Sequence, residues 1–212
     1  MPKKVELCWH ESINFMENHH HYLLNKPHSM LSQFTHQHTT RRNKRMLGEL
    51  YDFAPGTMSI GRLDENSEGL LLLTTDGKVS AAITGNKVEK EYYVELNGEI
   101  TDAAIQQLCK GVDIGFDGKR YRTRPCRVVR LEPAPNFSFP PRRYRHPGHG
   151  PTSWISVTIS EGKYRQVRKM TAAVGFPTVR LIRIRIGGVQ LGNLGAGEVR
   201  EVEGLLKLVK EC

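Results

Sequence analysis

No apolar run in this chain approaches the roughly 20 residues that cross a bilayer as a helix. The first twenty residues carry Lys3, Glu6, Glu11 and Glu17 in place of the apolar core of an export signal. The expected location is therefore the cytoplasm. The four cysteines, Cys8, Cys109, Cys126 and Cys212, include no pair two residues apart and have no histidine at zinc-ligand spacing. That excludes a disulfide framework or a zinc finger and points to reduced thiols. His19, His20 and His21, with His28, His36 and His38 beyond them, lack cysteine or carboxylate partners at ligand spacing, so no bound metal is expected. Glycine is abundant, but there is no Gly-x-Gly-x-x-Gly after a strand and no phosphate-loop Gly-Lys-Ser/Thr. A nucleotide cradle is excluded on that ground, and the glycines of Ile186 to Glu198 read as hairpin and turn residues.

Acidic residues are the scarcer charge. The 212 residues hold 31 Lys and Arg against 22 Asp and Glu, a formal net charge of +9, which favours a polyanionic partner. The excess is local. Lys119 to Arg185 contains sixteen basic residues and two acids, Glu132 and Glu161, a balance of +14, whereas the remainder carries −5. A basic face of that kind suits the neutralisation of phosphates. Within it, residues 133–151 are rich in Pro and Gly and carry Arg142, Arg143, Tyr144 and Arg145, an irregular loop suited either to a backbone clamp or to a functionless insertion. Thr39 to Arg45 is similarly open, as a phosphate-contacting loop or a solvated helix start.

Periodicity supplies the frame. Tyr22 to Pro27 reads as a short buried strand ended by proline. Leu70 to Leu73 reads as a fully buried strand closed by a turn at Asp76-Gly77, with a helix over Lys78 to Thr84 capped by Gly85. Lys90 to Leu96 alternates so that Tyr92, Val94 and Leu96 share one face and Tyr93 and Glu95 the other. Thr101 is a predicted N-cap for a helix to Lys110. Trp154 to Ser160 is a predicted strand with Ile155, Val157 and Ile159 inward. It hands over to a helix whose packed face is Val167, Met170, Thr171 and Val174, leaving Arg165, Arg168 and Lys169 on other faces. A strand follows over Val179 to Ile186, with Ile182, Ile184 and Ile186 opposed to Leu181, Arg183 and Arg185. These runs indicate an α+β domain.

The stretch from Gly61 to Gly69 is a polar loop feeding the leucine strand. Arg62 precedes Asp64 by two positions, and a cation folded back on a carboxylate favours its charged form. Arg-x-Asp alone is common in surface loops; the longer string is not. Gly61 to Gly77 resembles the signature of the RsuA-like bacterial ribosomal RNA pseudouridine synthases, Gly-Arg-Leu-Asp-x-x-Thr/Ser-x-Gly-Leu-Leu-Leu-Leu-Thr-x-Asp-Gly. Three further segments match in order: Asn25-Lys26-Pro27 at the domain entrance, Lys90-x-Tyr92-x-Val94, and Glu161 to Met170. Ser29 stands where the family has glycine, which leaves a tight glycine turn there unsupported. About twenty residues ahead of these motifs are too few for the separate RNA-binding domain of many members. The resemblance is therefore to the RluE-like large-subunit branch that lacks it.

The resemblance implies the pseudouridine synthase fold, with a central mixed, mostly antiparallel sheet crossed by a catalytic cleft. It divides the chain into an N-terminal extension over residues 1–21 and a catalytic domain over 22–212, with two subdomains flanking the cleft. It implies Asp64 as catalytic residue, Arg168 as the cation paired with it and joined by Arg62, Tyr92 against the target base, and Leu181 beside it. Lys163, Arg165, Lys169 and Arg183, with Arg142, Arg143 and Arg145, are the expected RNA contacts. Isomerisation of uridine breaks the base-to-sugar bond and rejoins the base through C5, without redox change or hydrolysis, so no cofactor is expected. The implied partner is ribosomal RNA, most directly 23S, and the implied state a monomer. A catalytically silent RNA-binding assembly protein would share the charge asymmetry but would not need Arg62, Asp64, Tyr92 and Arg168 together. A metal-dependent nuclease using the histidines, Glu65 and Glu68 would need a ligand spacing the chain does not show.

Overall fold

The structure is a computed structural model that describes residues 19–35, 44–85, 88–137 and 150–211. Four consecutive leucines fix its centre. Strand β3 (Glu68–Thr74) is buried at every position, because successive side chains of a strand point to opposite faces and both faces here are covered. Leu71 and Leu73 enter a core with Tyr22, Tyr92, Val94 and Leu181. Leu70 and Leu72 enter a second core with Ile83, Ile182, Ile186 and Leu205. Each fully buried leucine is worth about 1.5–3 kcal/mol relative to exposure, so this strand anchors two layers at once.

Around it a nine-stranded sheet runs in the order β11 (Val199–Val202), β1 (His21–Lys26), β3, β9 (Thr178–Ile186), β4 (Lys90–Asn97), β8 (Thr152–Ile159), β7 (Arg127–Arg130). Two short strands, β2 (Met58–Ile60) on β3 and β10 (Val189–Gln190) on β9, complete it. Every pair is antiparallel except β3 with β9, which meet in parallel only at Glu68 and Gly69 against Ile182 and Arg183. Gly69 permits that contact, since a Cβ there would lie 2.3 Å from the Arg183 carbonyl oxygen at a φ of +100°. Past this point the two strands share no ladder, and the residues flanking the join line a cleft.

The helices follow their caps. Asp76, read as part of a turn, instead N-caps α1 (Gly77–Thr84) by accepting hydrogen bonds from the Lys78 and Val79 amides at 2.7 and 3.2 Å. Gly85 does not close α1 in a left-handed conformation, its φ being −56°. Thr101 caps α2 (Asp102–Cys109) as its position predicts. After α3 (Gln166–Ala173), Gly175 takes a φ of +88° and its amide and that of Phe176 return to Ala172 and Thr171. Strands β5 (Asp113–Phe116) and β6 (Lys119–Arg122) form a separate hairpin, and α4 (Leu205–Lys210) ends the fold.

Two expectations are corrected. Ser29 adopts a φ of +56° despite its side chain, because the buried Lys26 ammonium gathers the Pro27 and Met30 carbonyls at 2.8 and 2.7 Å and fixes the turn from inside. The supposed basic face of β9 is buried on both sides: Arg180 is 5% and Arg183 4% exposed. Part of the basic surplus of residues 119–185 is offset by acids elsewhere in the chain. Arg180 holds Glu68, Arg185 holds Glu89 and Glu91, Arg130 holds Asp102, and Arg120 and Arg122 hold Asp113. The charge asymmetry along the sequence is thus partly a record of long-range ion pairs.

Candidate active site

The loop between β2 and β3 carries Asp64 and is tied down on every side. Ser32 brackets Leu63, donating to its carbonyl at 2.8 Å and accepting from its amide at 3.1 Å. The Ser67 amide closes back on the Asp64 carbonyl at 3.0 Å. Lys44 pairs with the Glu65 carboxylate, and Arg168 donates to the Asn66 carbonyl at 2.8 Å and approaches the Ser67 hydroxyl at 3.3 Å. A carboxylate on such a support loses little freedom when substrate arrives, which is the requirement for a positioned nucleophile.

Two arginines of the next motif face Asp64. Arg165 Nη1 lies 3.3 Å and Arg168 Nε 3.8 Å from Asp64 Oδ2. The sequence singled out Arg168; the nearer contact is Arg165, which stands just before α3 in a left-handed conformation with φ of 53°. Arg62 is exposed at the same cleft and makes no ion pair with Asp64 among the described residues. The scaffold behind the arginines went unread. Buried Glu161 accepts from the Gln166 side-chain Nε2 at 2.5 Å, the Tyr121 hydroxyl at 2.6 Å and the Arg124 backbone amide at 2.9 Å. Gln166 in turn accepts from the Lys163 amide at 2.9 Å. This explains the Glu and Gln of that motif: they fold the connection that aims Arg165 and Arg168, and the bond from Tyr121 holds its phenol above the ordinary tyrosine value.

The cleft has a volume of about 280 Å³, near the lower limit of ligand clefts, roughly 300–1,000 Å³. Its lining includes the charged side chains of Asp64, Arg62, Arg165 and Lys163, while Tyr92 and Leu181 supply apolar surface. Tyr92 is 8% exposed and belongs to the same core as Leu181, Ile159 and Val167. Its neighbour Tyr93 points to the other side of β4, where its ring lies 6.2 Å from that of Phe137. The alternation read from the sequence therefore separates the two tyrosines correctly.

The expected RNA contacts divide. Arg142, Arg143 and Arg145 lie outside the described residues. Lys163 sits over the rings of Phe116 and Tyr121 at 5.0 and 5.2 Å, and Lys169 donates to the Gly115 carbonyl at 2.7 Å, so both clasp the β5–β6 hairpin. Arg183 is buried within the cleft wall instead of on an outer surface. Tyr164, unassigned from the sequence, is 68% exposed beside Lys163 and Arg165, with the Lys169 ammonium 5.3 Å from its ring. No group of three or more His, Cys, Asp or Glu among the described residues is arranged to hold a metal ion. His20 instead pairs with Glu201 at 2.5 Å.

The chain as a whole resembles known proteins. A family profile described as RNA pseudouridylate synthase matches residues 20–173. The ribosomal large subunit pseudouridine synthase E of Xanthomonas campestris pv. campestris is 44% identical over 182 residues, covering 84% of this chain and 92% of that protein. The protein of the same name from Vibrio parahaemolyticus serotype O3:K6 is 37% identical over 194 residues, 89% of this chain and 76% of its own. Among solved structures, a crystal structure of a pseudouridylate synthase aligns with a TM-score of 0.71 at 28% identity, covering 92% of this chain and 75% of that one. A Cbf5-Nop10-Gar1 complex shares the fold at a TM-score of 0.52 and 17% identity.

Proposed function

Because the chain belongs to the RNA pseudouridylate synthase family, we propose that it converts uridine to pseudouridine in ribosomal RNA of the large subunit, 23S, with Asp64 as nucleophile. The observation that carries this reading is the Asp64 carboxylate held between Arg165 and Arg168 at the wall of a cleft whose apolar surface is Tyr92 and Leu181. The cleft is too small for a helix, so the target uridine leaves its stack to enter, at a cost of a few kcal/mol. Contact with the Tyr92 ring replaces part of the stacking lost. The reaction breaks the N1–C1′ bond, forms C5–C1′ and moves a proton from C5 to N1, so it balances without redox partner or water. Arg165 and Arg168 pair with the carboxylate and aim it, which positions an Asp nucleophile for attack.

Exposed Arg62 at the cleft, and exposed Tyr164 between the cleft residues Lys163 and Arg165, suit contacts to the RNA flanking the extruded nucleotide, a cation for phosphate and a ring for a neighbouring base. The proposed setting is the cytoplasm, with the enzyme working as a monomer on free rRNA or a large-subunit precursor. Mapping pseudouridine in 23S rRNA from cells with and without the protein tests the substrate. Asp64→Asn, nearly isosteric, is expected to abolish formation while leaving RNA affinity within a few fold. Isomerisation by that variant at near the wild-type single-turnover rate would sink the assignment of Asp64.

A further inference from the structure

Two basic side chains of the cleft are left over by the Asp64 arrangement. Arg183 is 4% exposed; its Nε donates to the Leu70 carbonyl at 2.7 Å across the diverging strands. Its Nη2, shielded from solvent, has no hydrogen-bond partner among the described residues. Lys90, the first residue of β4, lines the same cleft, and among the described residues neither a carboxylate nor a hydrogen-bond acceptor meets its ammonium. Burial and then the charge of Arg183 push Lys90 below the ordinary lysine value, so the two cations lie close enough to act on each other. A shielded donor left unmade is costly, more so when charged. Some acceptor that comes with the substrate must complete it.

Arginine and lysine donate only, so the missing partner is an acceptor, and the strongest ones an RNA brings are phosphate and base carbonyl oxygens. A phosphodiester is joined to chain on both sides and needs an open passage, whereas the base is the free end of an extruded nucleotide and can fill a closed recess. Arg183 is at the buried wall. It is the β-sheet partner of Tyr92, and Lys90 stands two residues before Tyr92 on the same strand. The leftover donors therefore border the Tyr92 and Leu181 slot, where the base itself would lie.

Resting on the uridine-isomerising reading above, we propose that Arg183 and Lys90 form an anion-stabilising corner for the carbonyl oxygens of the target uracil. When N1–C1′ breaks, its electron pair stays with the base and spreads from N1 onto the ring oxygens. Fixed donors at those oxygens stabilise the detached uracil anion until C5 bonds to C1′ and its proton leaves, N1 gaining one in exchange. Charge that develops only during reaction is where such donors act most strongly. The same corner discriminates by chemistry: cytosine offers an amino donor at position 4, which a donor-only wall leaves unpaired.

The test uses tritium release from 5-tritiated uridine in transcribed large-subunit rRNA, under single turnover, with RNA affinity measured in parallel. Lys90→Met is expected to slow release by about 100-fold, the lower range for loss of one such donor, with RNA Kd changed less than threefold. Propylamine is expected to restore part of the rate to Lys90→Ala, which a merely structural role would not allow. Arg183→Lys, retaining one donor, should fall between wild type and Arg183→Met. Wild-type rates in Lys90→Met would overturn the proposal. So would weakened RNA binding with a salt slope reduced by about 0.7 at unchanged rate, which would make Lys90 a phosphate contact. If Arg183→Met fails to fold, the Lys90 variants alone decide. Absence of release from the wild-type enzyme refutes the reading of function itself, whereas release by wild type and by Lys90→Met alike refutes only this corner.

Discussion

Arg168 serves Asp64 twice: its Nε lies 3.8 Å from the carboxylate, and its Nη2 donates at 2.8 Å to the carbonyl of Asn66, two residues farther along the same loop. Arg165 serves it once, at 3.3 Å, with its side chain more than a third exposed. The nearer cation is thus the less constrained one. Arg168→Ala is expected to cost about 100-fold or more in single-turnover rate, through both the lost charge and a loosened loop. Arg165→Ala should cost less, because exposed pairs are screened. Rates that rank the other way in folded variants would reverse the assignment of Arg168 as the main support.

Tyr92 and Tyr93 are adjacent in sequence but lie on opposite sides of the sheet. Tyr92→Ala is expected to lose a base contact worth about 1–3 kcal/mol, appearing in turnover more than in RNA affinity, since stacking on the base exists only after extrusion. Tyr92→Phe keeps the ring and should retain much of the rate; a loss equal to that of Ala would assign the hydroxyl to proton transfer. Tyr93→Ala, which removes a partner of Phe137, should act on stability. Equal catalytic losses at both positions would contradict the register of β4.

Glu68 and Arg180 form a buried pair at 2.9 Å, their side chains 6% and 5% exposed, directly beside the β3–β9 join. Removing one partner strands a buried charge, so Glu68→Gln or Arg180→Met should lower stability by about 3–5 kcal/mol. The double replacement is expected to recover part of that loss. Denaturant unfolding of the four proteins checks it, and strictly additive losses would mean that the two groups act separately.

Lys26 titrates at about 7: burial lowers it most, Glu68, Asp64 and Glu65 raise it, and Arg183 lowers it further. Its ordinary value is 10.5. Between these two values the unfolded chain holds the proton more tightly than the folded one, so stability rises with pH across the window, by up to about 1.4 kcal/mol per pH unit. Below about 7 the penalty of burying the charge is fully present. The Tm of the wild type relative to Lys26→Met is therefore expected to climb from pH 7 to 9. A difference flat with pH would show that the three carbonyls around Nζ keep the ammonium charged throughout.

What the sequence determined by itself is local in origin. The run Leu70 to Leu73 announces a strand covered on both faces, Tyr92 and Tyr93 must diverge because strand side chains alternate, and the spacing of Val167, Met170 and Thr171 requires a helix with its basic residues turned elsewhere. Four ordered motifs then indicated an RNA-modifying family, which the comparisons establish. Tertiary structure alone decided which charges meet. Arg62 stands two residues from Asp64 and does not pair with it among the described residues, whereas Arg165, about a hundred residues away, does. Part of the basic surplus read as an outer face goes into ion pairs such as Arg180 with Glu68 and Arg185 with Glu91. Periodicity is set by the backbone within a few residues, but a Coulomb partner is set by distance in space. The pairing of β9 with β3 on one side and β4 on the other brings the strand-borne pairs together and, among the described residues, leaves Arg183 with an unpartnered donor at the cleft.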